Sequence, residues 1–143
     1  MLTQAPRQIA KYAVVRALAA ACKPVVAALE IATPIMADGS IHHRPPAGAL
    51  KAHVITEIAL LQDGTGGRAQ IGFGRFGFYA RMVEYGHRMI GHNPKKRSLG
   101  AVSPHPFMGP VVAETADAAV DAFAKSIADS LQEGIPGVPG RAA

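Results

Sequence analysis

The chain has 143 residues, a length that suits one domain able to stand without disulfide or metal staples. A hydrophobic fraction of 49% against 17% charged residues excludes the disordered class, and the single cysteine, Cys22, excludes an intrachain disulfide and a cysteine-rich zinc site, which fits a reducing compartment. The net charge of +5 is unevenly placed: four basic and two acidic residues over 1–38 (+2), nine and three over 39–113 (+6), two and five over 114–143 (−3). Alanine supplies much of the apolar count and packs little area, so the expected core is thin.

In chain order, Arg7 and Lys11 precede an apolar run that ends "ALAAAC" at Cys22 and loosely resembles a lipoprotein signal, but Arg16 interrupts it. No uncharged stretch reaches the roughly 18 residues of a membrane span. The expectation is a non-exported protein with no membrane contact. Over residues 6–31 the spacing predicts a helix, with Val14, Leu18, Cys22, Val25 and Leu29 on the buried side and Arg16, Lys23 and Glu30 opposite. Pro24 lacks an N–H and crowds the preceding turn, which predicts a kink or break at Cys22–Pro24. The prolines, glycines and Asp-Gly pair of residues 33–48 predict a loop.

From Leu50 the pattern shifts to a run through Val54, Ile55, Ile58, Leu60 and Leu61. It closes at Asp63-Gly64-Thr65-Gly66-Gly67, and Arg68–Phe73 returns as a second strand, so a β-hairpin is predicted. Residues 78–85 suit a short helix or a strand, ended either way by Gly86. A long connection follows, in which no acid occurs between Glu84 and Glu114 while Arg88, Lys95, Lys96 and Arg97 accumulate. Residues 111–132 predict a second helix, with Val112, Ala116, Ala119, Phe123, Ile127 and Leu131 inward and Asp117, Asp121, Lys125 and Asp129 outward. Gly134, Pro136, Gly137, Pro139 and Gly140 stop it, leaving 134–143 as a tail expected to be mobile beyond a single domain of residues 1–133.

No constellation assigns a reaction, and no catalytic, cofactor-binding or metal-binding residue is assigned. "GFGRFG" at Gly72–Gly77 satisfies the dinucleotide fingerprint, yet that fingerprint needs a full-length helix next where only eight residues separate Gly77 from Gly86, and no acid stands about 20 positions on. The six histidines lack metal-site spacing, since His42 and His43 are adjacent and His87 and His92 five apart, with no HExxH. Glu57, Asp63 and Glu84 are isolated carboxylates, and G-x-S-x-G is absent. Two readings stay open beside a structural one: a small basic nucleic-acid-binding module using Arg88 and Lys95–Arg97, and an HNH-like metal-dependent nuclease built on His87, His92 and Asn93.

The order "YARMVEYG", a variable loop, then "PHPFMGP" leading into an amphipathic terminal helix resembles the tail-completion (head-tail joining) family of long-tailed bacteriophages. The residues that carry the resemblance are Tyr79, Ala80, Val83, Glu84, Tyr85 and Gly86, then Pro106, Phe107, Met108 and Pro110. Upstream, Pro46, Gly48, Leu50 and Lys51 of "PPAGALKAHV" match as well. His87 and Ala47 stand where the family usually has threonine, and the loop at 33–46 is longer than expected. The resemblance implies an α+β fold in which N- and C-terminal helices pack on a small antiparallel β-sheet with long loops. It also implies a non-catalytic virion protein of the tail or neck, assembled in the host cytoplasm as a homo-oligomeric ring of six subunits around the DNA path. Head completion or connector proteins and tail tube or terminator proteins would be its neighbours. Arg88, Lys95, Lys96 and Arg97 are the expected partner-facing loop. Glu84 beside the glycine turn is expected to accept backbone N–H groups or pair with an arginine, and Phe107 and Met108 to anchor the returning chain.

Overall fold

The computed structural model of the chain describes residues 4–35, 48–62, 66–90 and 98–133. Its elements are α1 (Gln4–Ala32), β1 (Ile55–Leu60), β2 (Gly67–Gly72), α2 (Gly77–Tyr85), β3 (His87–Ile90), β4 (Ser98–Val102) and α3 (Met108–Glu133), with single 3₁₀ turns at Lys51–His53 and Gly74–Phe76. The class is α+β. The strands form two separate two-stranded antiparallel sheets, β1 with β2 and β3 with β4, rather than the single small sheet expected.

Two compact units interleave along the sequence: the first is drawn from Met1–Ala27, Thr56–Ile71 and Thr115–Ala143, the second from Ala28–Ile55 and Gly72–Glu114. In the first unit α1 lies close on the first hairpin. A Cβ at Gly67 would come within 2.8 Å of Leu18 Cδ1 and 3.0 Å of the Ala59 carbonyl oxygen, so a larger residue would require Leu18 to swing aside and the neighbouring strand to give slightly. At the exposed rim of this unit Arg16 on α1 pairs with Glu133 on α3 at 2.7 Å.

The helix α1 runs continuously through Pro24, so the break that was one of the two expected outcomes does not occur. Proline forfeits one backbone bond there, but Ala19, Ala20 and Ala21 before it and Ala27 and Ala28 after it are strong helix formers. Buried Ala17, Cys22 and Leu29 secure the helix on both sides of the proline. Among the described side chains of α1, Ala13, Ala17, Cys22 and Leu29 are buried, while Val14, Leu18 and Val25 are half-buried. Burial pushes the Cys22 thiol pKa up.

The terminal helix α3 begins at Met108, three residues before the predicted start, and its inward face differs from the one predicted. Val111, Ser126 and Ser130 are buried, whereas Val112 and Leu131 are 58% and 70% exposed and Phe123 is half-buried. The large apolar residues give way to small ones that allow closer approach. The hydroxyl cost is met on the helix itself, where Ser130 Oγ donates to the Ser126 carbonyl at 2.7 Å.

Candidate functional site

The motif residues meet in the second unit, at the junction of α2 and α3. A nine-residue helix, α2, follows the "GFGRFG" stretch, the helical one of the two expectations for residues 78–85, and Gly86 ends it as expected. Its buried side chains are Ala80 and Glu84. Both carboxylate oxygens of Glu84 accept backbone hydrogen bonds from the start of α3: Oε2 from Phe107 N–H at 2.8 Å and Met108 N–H at 3.0 Å, Oε1 from Gly109 N–H at 3.2 Å.

Those three bonds complete the accounting of the helix start. An α-helix leaves its first N–H groups without intrahelical partners. Here the donors of Phe107, Met108 and Gly109 go to Glu84, Pro110 has none to satisfy, and Val111 N–H reaches the Phe107 carbonyl at 3.4 Å. A carboxylate 24 positions upstream of Met108 thus does the work of an N-cap, aided by the positive end of the helix dipole. Burial alone pushes the Glu84 pKa up, but the N–H groups of Met108, Phe107 and Gly109 together outweigh it and hold the pKa below the ordinary glutamate value.

The junction is closed from the other side as well. His105 N–H donates to the Val83 carbonyl at 2.8 Å, satisfying an acceptor in the last turn of α2. Gly86 has φ +69°, and a Cβ there would collide with the Val102 carbonyl oxygen and sit 2.9 Å from Pro104 N, so the position requires glycine twice over. Phe107 is 4% exposed and meets the ring of Phe73 edge-on at 5.7 Å between centroids. Together, Glu84, Gly86, Val83, His105 and Phe107 form a clasp that fixes where the β3–β4 arm leaves and returns.

The arm itself is a short hairpin where the sequence predicts a loop. His87 pairs with Val102, Arg88 with Ala101, Met89 with Gly100 and Ile90 with Ser98, with an irregularity between Met89 and Ile90. Gly100 at φ +112° and the lack of alternation in His87–Ile90 explain why no strand pattern was visible. All four β3 residues are exposed, Arg88 among them.

Of the other motif residues, Tyr79 is half-buried on α2 with its ring 4.0 Å from that of Phe78. Tyr85 is 72% exposed, Pro106 and Pro110 are exposed, and Met108 is half-buried. Upstream, Gly48 has φ +77° and Leu50 is buried, with Lys51 exposed. Nearby, His53 Nδ1 lies 2.7 Å from the Ala49 carbonyl and the imidazole stands edge-on to Phe76 at 4.5 Å, with the Arg75 guanidinium 4.8 Å from that ring's centroid. Lys95, Lys96 and Arg97, with His42, His43, Pro46, His92 and Asn93, lie outside the described residues.

An open groove of about 560 Å³ borders the clasp, lined by Phe73, Ala80, Arg81, Glu84, Met108 and Val112 among others. Its polar capacity is small, since both Glu84 oxygens are already engaged by backbone donors. Among the described residues no group of three His, Cys, Asp or Glu side chains is placed to hold a metal ion, and no helix is long and apolar enough to cross a membrane. No family model, curated protein or solved structure matches the chain.

Proposed function

We infer that the chain is a structural component of a phage-like particle, a tail-completion or head-tail joining protein that forms a homo-oligomeric ring around the DNA path. The observation that carries this reading is the clasp. The short motifs "YARMVEYG" and "PHPFMGP", which make the resemblance, are separated by about 20 residues, yet Glu84 and Phe107 are joined by a 2.8 Å hydrogen bond. A buried carboxylate spent wholly on backbone donors is a joint, not a general acid or a nucleophile. Such a joint presents the arm between the motifs at a fixed angle, which suits a protein whose task is contact. The basic middle of the chain (+6) and its acidic C-terminal part (−3) provide complementary surfaces for neighbouring copies, and the neighbours outside the ring would be head completion and tail tube proteins.

The test is loss of the gene from the genome that carries it, followed by electron microscopy of the lysate. DNA-filled heads separate from finished tails are expected, with joining restored by the purified protein. Normal joined particles would overturn the reading. Salt-dependent DNA retention by a monomer would replace it with the nucleic-acid-binding module, and divalent-dependent cleavage with the nuclease.

A further inference from the structure

We propose that the β3–β4 hairpin of one copy docks on the exposed apolar stripe of α3 in a second copy, with Arg88 facing Asp117 and Asp121. The inference rests on the ring reading above and names the surfaces that make the contact.

The hairpin calls for a cover. It is a two-stranded sheet with no third strand among the described residues, and Met89, Ile90 and Val102 are 40%, 61% and 40% exposed. A lone two-stranded ribbon is marginal in water, and open strand edges with apolar side chains invite association. The sequence from His87 to Val102 holds Arg88, Lys95, Lys96 and Arg97 and no acid.

The stripe is the chemical complement. Ala116, Val120, Phe123, Ile127 and Leu131 recur at three- and four-residue steps along α3, so they share one side of the helix. Ala116, Val120 and Leu131 are exposed, Val120 at 65%, and Phe123 and Ile127 are half-buried. Asp117 and Asp121, both exposed, follow the same rows one position on and border the stripe with negative charge.

Each surface is thus apolar with a charged margin, of opposite sign to the other. Met89, Ile90 and Val102 on the arm and Val120 and Leu131 on the helix are each exposed. A second copy supplies the partner at equal concentration, and a contact between two different patches is the heterologous kind that closes into rings. Apolar area gives the attachment, and the Arg88–Asp117 margin sets its register.

Cross-linking tests it. In a Cys22→Ala background, Ile90→Cys and Val120→Cys are made on separate full-length chains, and folding is checked by circular dichroism. The mixture at low salt, treated with a short bismaleimide, should give a covalent dimer absent from either chain alone. A chain carrying both cysteines should give a ladder. Arg88→Glu should suppress the ladder, and adding Asp117→Lys should restore it. If a lysine-reactive reagent links wild-type chains into oligomers while the cysteine pair gives no product, these surfaces are wrong and the ring reading stands. If neither reagent gives oligomers in solution or on particles, the ring reading falls and this contact with it. Suppression by Arg88→Glu that Asp117→Lys leaves unrestored removes the charge pairing and assigns Arg88 to a different partner.

Discussion

Glu84 occupies a buried position that a carboxylate tolerates when its charge is answered, and three backbone N–H groups answer it. Replacing it with alanine leaves those donors without acceptors, and the expected loss is about 2 to 4 kcal/mol in denaturant unfolding. Glutamine keeps one oxygen but sets an amide N–H against donors, so a loss of about 1 to 3 kcal/mol is expected. The pH dependence has a definite sign. The folded pKa is depressed, so the carboxylate's contribution is complete above the ordinary value of about 4.3 and disappears as pH falls through the lower folded value. The difference between wild type and Glu84→Gln should therefore narrow on acidification below about pH 4.3. An unchanged difference there would mean that charge plays no part in the clasp. Phe107 and Phe123 also separate at this scale. With Phe107 buried against Phe73, Phe107→Ala should cost about 3 kcal/mol or more. Half-buried Phe123 should cost only about half of that, which thermal unfolding of the pair will measure. Equal losses would place Phe123 deeper than its exposure indicates.

At the scale of elements, α1 bears an internal proline without interruption, so the helix carries a standing local cost. Pro24→Ala restores an N–H for the Ala20 carbonyl and removes the ring from the preceding turn. A gain of about 1 to 3 kcal/mol is expected by chemical denaturation, with an unchanged m-value. A loss instead would show that the proline ring itself is needed where it sits. The α3 helix makes the converse point. Its buried positions include Ser126 and Ser130, the latter bonding the Ser126 carbonyl of the same helix, while Val120 and Leu131 remain outside. An element that spends its best apolar residues on solvent is suited to a partner.

For the whole molecule, the buried core among the described residues is small, with alanine its commonest residue and Phe73 and Phe107 its only aromatics. Charge is segregated along the chain, +6 over 39–113 against −3 over 114–143. Assembly between copies should therefore respond to ionic strength: sedimentation at low salt should show loose oligomers that dissociate toward monomer at high salt, with closed rings only on particles. Neutralising Lys95, Lys96 and Arg97 should leave the circular dichroism spectrum unchanged and weaken that association. A monomer at every salt concentration that also occurs as isolated copies on particles would exclude the ring.

The two long helices, the β1–β2 hairpin and the glycine stop after Tyr85 are legible in the sequence because each rests on local rules of periodicity, turn chemistry and backbone freedom. The sequence also marks Glu84, Gly86 and Phe107 as belonging together, through motif order and not through spacing. On α1 the predicted side does turn inward, with Cys22 and Leu29 buried and Ala13 and Ala17 added beside them, whereas the inward side of α3 emerges only on folding, where Val111, Ser126 and Ser130 are buried and Val112 and Leu131 are not. Likewise, the bond from Glu84 to three N–H groups more than 20 residues away is a non-local choice: any accessible acid can cap a helix, and only the folded path of the chain brings this one to the start of α3. The β3–β4 arm was illegible for the same reason, its pairing held by the clasp at its base and not by any alternation within its strands.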